Sequence, residues 1–273
     1  MIITVASGKG GAGKTTVTAS IAHVLPKDKT YLLDADVDTP NLALALGLEK
    51  PEKKEEWWGG VVSEFVGNEP HPEACPFGAI GLDGTVNELL CEGCGACAKR
   101  FPESYRLKNV HTADILWYSW NGVPLLTAEL MPGRSGSGKI VTELRMRAEK
   151  EMAEKGRDVL LIDAAAGRGC PVIASLRGSD YAIIVVDNTP TGIEDALQVL
   201  NVVEHFSIPF GYVINRADIV PERVEKIEEI FGKRRGGEKL GEIPYIQDVL
   251  KTYPPPFERV LEYINVEEIL KKI

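Results

Sequence analysis

The sequence predicts an α/β fold in which a mostly parallel sheet carries helices on both faces. Short apolar runs that end in Asp or Asn alternate with helical stripes over most of the 273 residues. A glycine-rich loop follows the first run, and one long segment, residues 51–116, interrupts the alternation. A chain of this length can bury one large core and still hold a small inserted unit. We therefore expect residues 1–50 and 117–273 to form the main domain and residues 51–116 an inserted one.

The first apolar run, Ile2 to Val5, leads into a loop that reads G-x-x-x-x-G-K-T. In such a loop the backbone N–H groups face the phosphates of a nucleotide, the lysine reaches the β and γ oxygens, and the hydroxyl binds Mg²⁺. The apolar stripe from Val17 to Leu25 predicts the helix that must follow. The predicted phosphate-binding residues are Gly8, Lys9, Gly10, Gly11, Ala12, Gly13, Lys14, Thr15 and Thr16.

Acidic residues follow two of the predicted strands. Asp34, Asp36 and Asp38 come after the strand at residues 30–33, and Asp163 closes the strand at residues 159–163. The carboxyl ends of parallel strands meet at one edge of a sheet, so these carboxylates should lie beside the glycine-rich loop. There they can hold Mg²⁺ and orient an attacking water.

The rest of the chain repeats strand and helix. Residues 133–139 imitate a second phosphate loop, but Ile140 lacks the hydroxyl that Mg²⁺ needs, so we expect a loop that enters a helix. That helix should end at Gly156. Thr191 and Glu194 predict a capping box. The other predicted elements are strands at 123–127, 183–187 and 210–214, a helix at 221–232, and a last strand and loop at 241–245.

Composition limits the classes of function. A formal charge of −9 disfavours a general nucleic-acid binder, because phosphate backbones need clustered Lys and Arg. No run of about 18 apolar residues predicts a membrane span. The N-terminus enters a strand with no basic leader, so we expect a cytoplasmic location. Four of the five cysteines lie within residues 75–97, which in a reducing compartment favours a metal site over disulfides.

The loop sequence Gly-Lys-Gly-Gly-Ala-Gly-Lys-Thr-Thr resembles the deviant Walker A loop of the MinD/ParA/Mrp P-loop ATPases. The resemblance implies a dimer that sandwiches ATP, in which Lys9 reaches the partner's phosphates and Asp36 activates water. It implies Lys9, Lys14 and Asp36 as catalytic residues. It also implies Mg²⁺ at Thr15, Asp34, Asp36 and Asp163, and a purine site at Asn215 and Pro244.

The same resemblance makes Gly167 a sensor of the γ-phosphate through its backbone N–H. The family usually has prolines just before this glycine, whereas this chain has Ala165 and Ala166. That departure leaves the stiffness of the switch, and therefore the turnover, open.

The cysteines form a recognisable pattern inside the expected insertion. Cys91, Cys94 and Cys97 read C-x₂-C-x₂-C, and Cys75 stands upstream before a proline. The pattern resembles a two-cluster ferredoxin in which a fourth cysteine crosses over from the other half. The ligand positions of the second cluster are held by other residues, namely Phe65, Asn68, His71 and Phe101. We predict one 4Fe-4S cluster on Cys75, Cys91, Cys94 and Cys97, with structural Zn²⁺ on the same thiolates as the alternative.

Cys170 offers no matching second ligand, and we expect it to be buried and structural. The whole pattern predicts a dimeric ATPase that couples ATP hydrolysis to electron or cluster transfer to a client protein. The dimer partner is a second copy or a paralogous ATPase. Alternatives are a nucleotide-binding metal scaffold with little hydrolysis and a MinD-like membrane positioning ATPase, although residues 266–273 are short and carry two acids.

Overall fold

A computed structural model describes residues 1–134, 136–234, 236–252 and 254–273, apart from the side chain of Leu250. Ser135, in the predicted second glycine loop, therefore lies outside the described residues. The described residues form eleven strands: β1 (Ile2–Ser7), β2 (Thr30–Asp34), β3 (Lys53–Trp57), β4 (Gly60–Phe65), β5 (Tyr105–Val110), β6 (Ala113–Trp120), β7 (Val123–Leu130), β8 (Val159–Ala166), β9 (Tyr181–Asp187), β10 (Phe210–Asn215) and β11 (Gly237–Ile243).

The described helices connect these strands. They are α1 (Lys14–Val24), α2 (Leu42–Ala45), α3 (Ala96–Arg100), α4 (Ser137–Glu154), α5 (Cys170–Leu176), α6 (Pro190–His205), α7 (Pro221–Gly232), α8 (Gln247–Lys251), α9 (Phe257–Leu261) and α10 (Val266–Leu270), with a short 3₁₀ turn at Pro72–Ala74. None of the described helices is long and apolar enough to cross a membrane.

Nine strands form one sheet in the order β11-β10-β9-β1-β8-β2-β7-β6-β3. β6 alone runs opposite to the other eight strands of this sheet, so the predicted, mostly parallel α/β sheet is confirmed. β1 lies between β8 and β9, both parallel to it. The loop after β1 therefore opens at the carboxyl edge of the sheet, where α/β proteins bind ligands.

The core explains why the parallel strands read as continuous apolar runs. Every residue of β2 and β9 is buried, since helices cover both faces of the sheet. One apolar cluster, which includes Val17, Ile21 and Val185, packs under α1 and α9. Two further clusters lie under α5, α6 and α7 and under α4.

The predicted start of one helix differs from the structure. α6 begins at Pro190, and its N-cap is Thr189, whose Oγ1 accepts the N–H of Gly192. The capping box expected at Thr191 was therefore wrong, because a proline in the first turn starts the helix earlier. α7 runs from Pro221 to Gly232 as predicted.

The segment expected as the insertion contributes to both sheets. Residues 53–57 pair with β6 in the main sheet, and Trp57, Ala113 and Ile115 pack in its core. The expected border at 116/117 thus falls inside β6, and the border at 50/51 places β3, a strand of the main sheet, in the insertion. The part outside the main sheet spans residues 58–112. That part holds a two-stranded antiparallel sheet, β4 with β5, and a small apolar cluster around Tyr105.

Candidate active site and cysteine cavity

A cavity of about 400 Å³ opens at the carboxyl edge of the main sheet. Its volume is in the range of small-molecule sites. The structure brings together there the glycine-rich loop, Asp36, Asn215 and Pro244, which the sequence places far apart. The lining also includes Ala166, Arg216, Tyr245 and Ile246.

The glycine-rich loop joins β1 to α1, and its last glycine sets its shape. Gly13 has a φ of 96°, in the left-handed region that favours glycine. A Cβ at Gly13 would lie 2.3 Å from Nδ2 of Asn215, so only glycine allows this approach. The Asn215 amide in turn donates to the carbonyl of Ala12 (2.8 Å). The end of β10 therefore supports the phosphate loop directly.

Asp163 organises the polar centre of the site. It is fully buried within β8, three residues before the strand ends, and its two oxygens accept from Lys14 Nζ (2.9 Å) and Thr15 Oγ1 (2.6 Å). Thr18, one turn further along α1, donates to the same carboxylate (2.8 Å). The two side chains predicted to bind phosphate and Mg²⁺ are thus held on one carboxylate.

Asp34 and Asp36 add negative charge next to Lys14. Asp34 is fully buried and accepts the backbone N–H groups of Asp36 (3.0 Å) and Leu42 (2.9 Å). Burial and the nearby Asp163 carboxylate raise the pKa of Asp34 to about 7, although Lys14 and the two N–H donors oppose the shift. Burial also raises the pKa of Asp36, whose Oδ2 lies 4.0 Å from Lys14 Nζ.

The electrostatic balance keeps Lys14 charged. Burial alone would lower the pKa of Lys14, but the carboxylates of Asp163, Asp34 and Asp36 raise it above its usual value. One buried cation facing three carboxylates leaves an excess of negative charge. Asp38, the remaining acidic candidate, is exposed to solvent.

Lys9 is bound within its own chain in this structure. Its ammonium contacts Asp187 Oδ2 (2.6 Å) and Thr189 Oγ1 (2.8 Å). The other oxygen of Asp187 accepts from Arg216 (2.6 Å), which also donates to the Gly11 carbonyl (2.7 Å). Burial opposes ionisation of Asp187, but Lys9, Thr189 and Arg216 hold its pKa below the usual range. Sequence reasoning missed Asp187 and Arg216, because contacts between distant strand ends leave no local pattern.

The segment predicted as the second switch, residues 163–170, begins inside β8. β8 continues through Ala166, which pairs with Ser7. Alanine permits this extension, whereas a proline would remove a backbone donor. Gly167 follows with a φ of 93°, and its N–H donates to the Ser7 carbonyl (3.0 Å). The N–H expected to sense the γ-phosphate is therefore bound to β1.

The four predicted cluster ligands line one small cavity beside β4 and β5. Cys97 is buried, Cys75 and Cys91 are half-buried, and Cys94 is exposed. Backbone N–H groups point at two of the sulfurs: Ser63 donates to Cys91 Sγ (3.3 Å), and Ala79 donates to Cys75 Sγ (3.2 Å). The Cys97 thiol donates to Ser63 Oγ (3.0 Å).

The small unit also contains a group of aromatic rings that packs with Cys97 and Cys75. His71 stacks on Phe101 with centroids 3.7 Å apart and planes within 6°. Phe65 packs against Tyr105 at 5.4 Å, and both belong to the apolar cluster of this unit. Three of the four positions that the ferredoxin pattern assigns to a second cluster, Phe65, His71 and Phe101, thus lie in or beside one aromatic core.

Two findings qualify the metal predictions. Among the side chains that the structure describes, no three from His, Cys, Asp and Glu are grouped to hold a single metal ion. Cys170, expected to be buried, is exposed, because it begins α5 beyond the carboxyl end of β8.

The connection between β7 and α4, together with the first turn of α4, contacts the cysteine loop and the start of α5. Arg134 donates to Glu88 (3.0 Å), which also pairs with Lys108 (2.9 Å). Arg134, Glu88 and Cys91 line a second small cavity between this segment and the cysteine loop. A Cβ at Gly138 would lie 2.7 Å from the Cβ of Cys170. Arg134 in this connection therefore lies against the cysteine loop, and Gly138, in the first turn of α4, packs on Cys170, three residues after Gly167.

Residues 3–253 match the CobQ/CobB/MinD/ParA nucleotide binding domain family. The chain belongs to this family. An uncharacterized protein of Methanocaldococcus jannaschii is 32% identical over 220 residues, which cover 79% of this chain and 78% of the relative. The iron-sulfur cluster carrier protein of the same organism is 28% identical over 286 residues, covering 99% of this chain and 81% of the carrier.

Among solved structures, the septum site-determining protein MinD of Pyrococcus horikoshii, complexed with Mg-ADP, superposes with a TM-score of 0.56. It is 19% identical and covers 99% of this chain and 93% of its own, which establishes a shared fold. As a member of the CobQ/CobB/MinD/ParA family, the protein is a P-loop ATPase, and the cavity at the carboxyl edge, which its glycine-rich loop lines, is the candidate ATP site.

Proposed function

We propose that this ATPase couples ATP binding and hydrolysis to an iron–sulfur unit on Cys75, Cys91, Cys94 and Cys97, and that this unit passes electrons or a cluster to a client protein. One observation carries the proposal. The four cysteines line a single cavity, Arg134 binds Glu88 beside it, and Gly138 at the start of α4 packs on Cys170, three residues after Gly167.

The ATP site supplies the residues that phosphoryl transfer needs. Lys14 offsets the charge that spreads over the γ-phosphate oxygens, and backbone N–H groups of the glycine-rich loop hold the phosphates. To reach the phosphates, Lys14 and Thr15 exchange their bonds to Asp163 for bonds to the substrate. Asp36 lies at the cavity wall and orients the attacking water.

The donors at this site fit Mg²⁺. Thr15 would hold the ion together with Asp163, Asp34 and Asp36, acting directly or through waters. Mg²⁺ prefers oxygen ligands and keeps several waters beside phosphates. When bound, it neutralises charge on the β and γ oxygens. The excess of buried carboxylate over the single cation Lys14 is the feature that supports this assignment.

The position of Lys9 supports a dimer of the ATPase. Its ammonium lies at the rim of the ATP cavity and is held by Asp187 and Thr189. In a nucleotide-sandwich dimer, with a second copy or a paralogue, Lys9 leaves Asp187 and contacts the partner's phosphates. Formation of the dimer would then depend on bound ATP.

The four cysteines that line the cavity are of the chemical kind that an iron–sulfur cluster needs. Thiolates are the usual cluster ligands, and hydrogen bonds to the sulfurs tune the reduction potential. The N–H groups of Ser63 and Ala79 supply such bonds here. The aromatic filling of the second half, with His71 stacked on Phe101, supports one cluster per chain. The similarity to iron-sulfur cluster carrier proteins supports the same assignment.

The surroundings of the cavity suit contact with a client. Cys94 is exposed, and the apolar side chains of Phe77 and Leu107, both lining the cavity, are 51% and 43% exposed. Leu90, next to Cys91, is 49% exposed. Exposed apolar groups around a functional centre indicate a protein interaction site. A client that covers these groups would exclude water from the transfer path.

The decisive test is an iron, sulfide and zinc assay on protein purified without oxygen, with EPR after reduction by dithionite. We expect about four iron and four sulfide per chain, a reduced-cluster signal, and loss of all three in Cys91→Ala. Cys170→Ala is the matched control and should retain the metal. One zinc per chain without sulfide would reject the cluster and make the unit a structural platform.

A second candidate function is a nucleotide-binding scaffold with little hydrolysis. The extension of β8 through Ala166, and the bond between Gly167 and Ser7, favour it, because they hold the switch on the sheet. Asp36→Ala separates the two candidates. Loss of client activation would support the ATPase mechanism, and retention of cluster delivery without hydrolysis would support the scaffold.

Membrane positioning receives less support. It requires a cationic amphipathic tail. α10 has five residues, and Glu267 and Glu268 lie in its first turn. Failure to bind liposomes in the presence of ATP would remove this alternative, and a cytoplasmic location remains our prediction.

A further inference from the structure

Asp218 lies three residues after Asn215, just beyond the end of β10. A carboxylate that faces the edge of a bound purine can accept the N1–H and amino donors of guanine. Adenine presents an amino donor and a ring nitrogen acceptor instead. The orientation of Asp218 therefore bears on which purine the site accepts.

The structure turns Asp218 away from the ATP cavity. Its carboxylate lines a neighbouring groove with Ala217, Glu242 and Tyr263. Pro244 lines both the groove and the cavity, so it forms the wall between them. Behind that wall, Asp218 Oδ1 accepts the backbone N–H of Tyr245 (2.6 Å).

A second bond ties the same two segments together. The N–H of Ala217 donates to the Ile243 carbonyl (3.0 Å), directly after the last β10–β11 pair, Asn215 with Ile243. Asp218 thus extends the pairing of the two strands by one more contact. The residues it holds, Pro244 and Tyr245, continue into Ile246, and all three line the cavity that Asn215 also lines, where we expect the purine to bind.

We propose that Asp218 is a positioning residue for adenine: it fixes the backbone of residues 244–246 against the purine and does not read the base itself. Asn215, at the end of β10, is fixed as well, since its amide donates to the Ala12 carbonyl and its Oδ1 accepts the N–H of Arg216 (3.0 Å). With its carboxylate on the far side of the wall, Asp218 leaves the amino group of guanine without an acceptor. The inference depends on ATP binding at this cavity and is independent of the iron–sulfur proposal.

The test compares nucleotide affinities of full-length variants. Asp218→Ala removes the acceptor, and we expect affinity for ATP and ADP to fall about three- to tenfold. Affinity for inorganic tripolyphosphate, which has no base, should stay unchanged. Asp218→Asn keeps an acceptor oxygen and should restore ATP affinity. The wild-type protein should prefer ATP over GTP.

A direct role in base reading gives a different pattern and would overturn the inference. Asp218→Asn would then gain affinity for xanthosine triphosphate, whose second carbonyl suits an amide donor, and Asp218→Ala would lose GTP selectively. Unchanged ATP affinity in Asp218→Ala would overturn it as well.

A second pair of variants tests the same bond from the donor side. Tyr245→Pro removes the N–H, whereas Tyr245→Ala keeps it and controls for the lost ring. We expect ATP affinity to fall further in Tyr245→Pro than in Tyr245→Ala, with tripolyphosphate binding unaffected in both. Equal losses in the two variants would contradict the inference even if Asp218→Ala fails to fold.

Discussion

The ATP site and the cysteine cavity differ in how much of their structure exists without a ligand. The ATP site lies at the carboxyl ends of β1, β2, β8 and β10 in the large sheet, and Asp34 and Asp163 are fully buried there. The cysteine cavity is enclosed by loops around a two-stranded sheet, and its apolar cluster has few fully buried members. A small core of this kind gains stability from a bound metal.

The two regions differ in what stabilises them. The sheet holds three carboxylates around Lys14 before the nucleotide arrives, so the ATP site is preorganised and electrostatically strained. The cysteine unit has no comparable buried charge among its described residues. Its order should depend on its metal. We therefore expect the ATP site to respond to changes in charge and the cysteine unit to respond to removal of the metal.

The largest expected effect is that of Lys14→Ala on ATP hydrolysis. Loss of the buried ammonium at the glycine-rich loop should lower kcat by about 100- to 1000-fold. Lys150→Ala is the control, because Lys150 is 76% exposed and makes only a 3.8 Å pair with Glu154. Steady-state hydrolysis, with circular dichroism to verify folding, provides the measurement. A loss below tenfold would mean that another group carries the charge.

Metal removal should have the next largest effect, and it should be confined to the small unit. After chelation, amide exchange at residues 60–65 and 105–110 should accelerate by roughly 10- to 100-fold, because the local opening free energy falls. Exchange in β1, β8 and β9 should stay unchanged. Hydrogen exchange with mass spectrometry resolves the two regions. Equal acceleration in both would show that the cysteine unit and the sheet unfold together.

The same contrast decides how much the sequence could predict. The glycine-rich loop and the strand-end acids form local patterns, so the parallel fold and about half of the residues that line the ATP cavity could be predicted. Lys53–Trp57 reads as a charged segment, because an edge strand exposes its Lys and Glu side chains. Its place in the main sheet was therefore missed. The Lys9–Asp187 pair joins residues 178 apart in sequence, and such contacts depend on the folded sheet.

The pH dependence of stability tests the buried charge of the ATP site. Asp34 has a pKa of about 7 in the folded protein, and an unfolded Asp titrates near 3.8. Between these values the folded state binds more protons, so the free energy of unfolding falls as pH rises. For nucleotide-free and Mg²⁺-free protein we expect a loss of about 2–3 kcal/mol between pH 5 and pH 8.

Asp34→Asn should flatten this slope, because it removes the titrating group. Urea unfolding followed at several pH values measures the slope in both proteins. An equally steep slope in the variant would assign the titration to other carboxylates, and stability that rises with pH would contradict the raised pKa.

The smallest expected effect concerns the connection between the two regions. We test whether the connection between β7 and α4 transmits the nucleotide state to the cysteine cavity. If it does, metal removal should change the ATPase rate of the wild-type protein by about two- to fivefold, as expected for a modest coupling free energy. In Arg134→Ala the ATPase rate should no longer respond to metal removal, because the bond to Glu88 is lost while the catalytic residues are untouched. Arg106→Ala, which removes an ion pair with Glu64 within the small unit, is the matched control and should keep the response.

An unchanged response in Arg134→Ala would mean that nucleotide state reaches the cysteines by another route, through the dimer partner or the client. A wild-type rate that ignores the metal would leave the two regions as independent sites on one chain, the opposite of the coupling proposed for this ATPase.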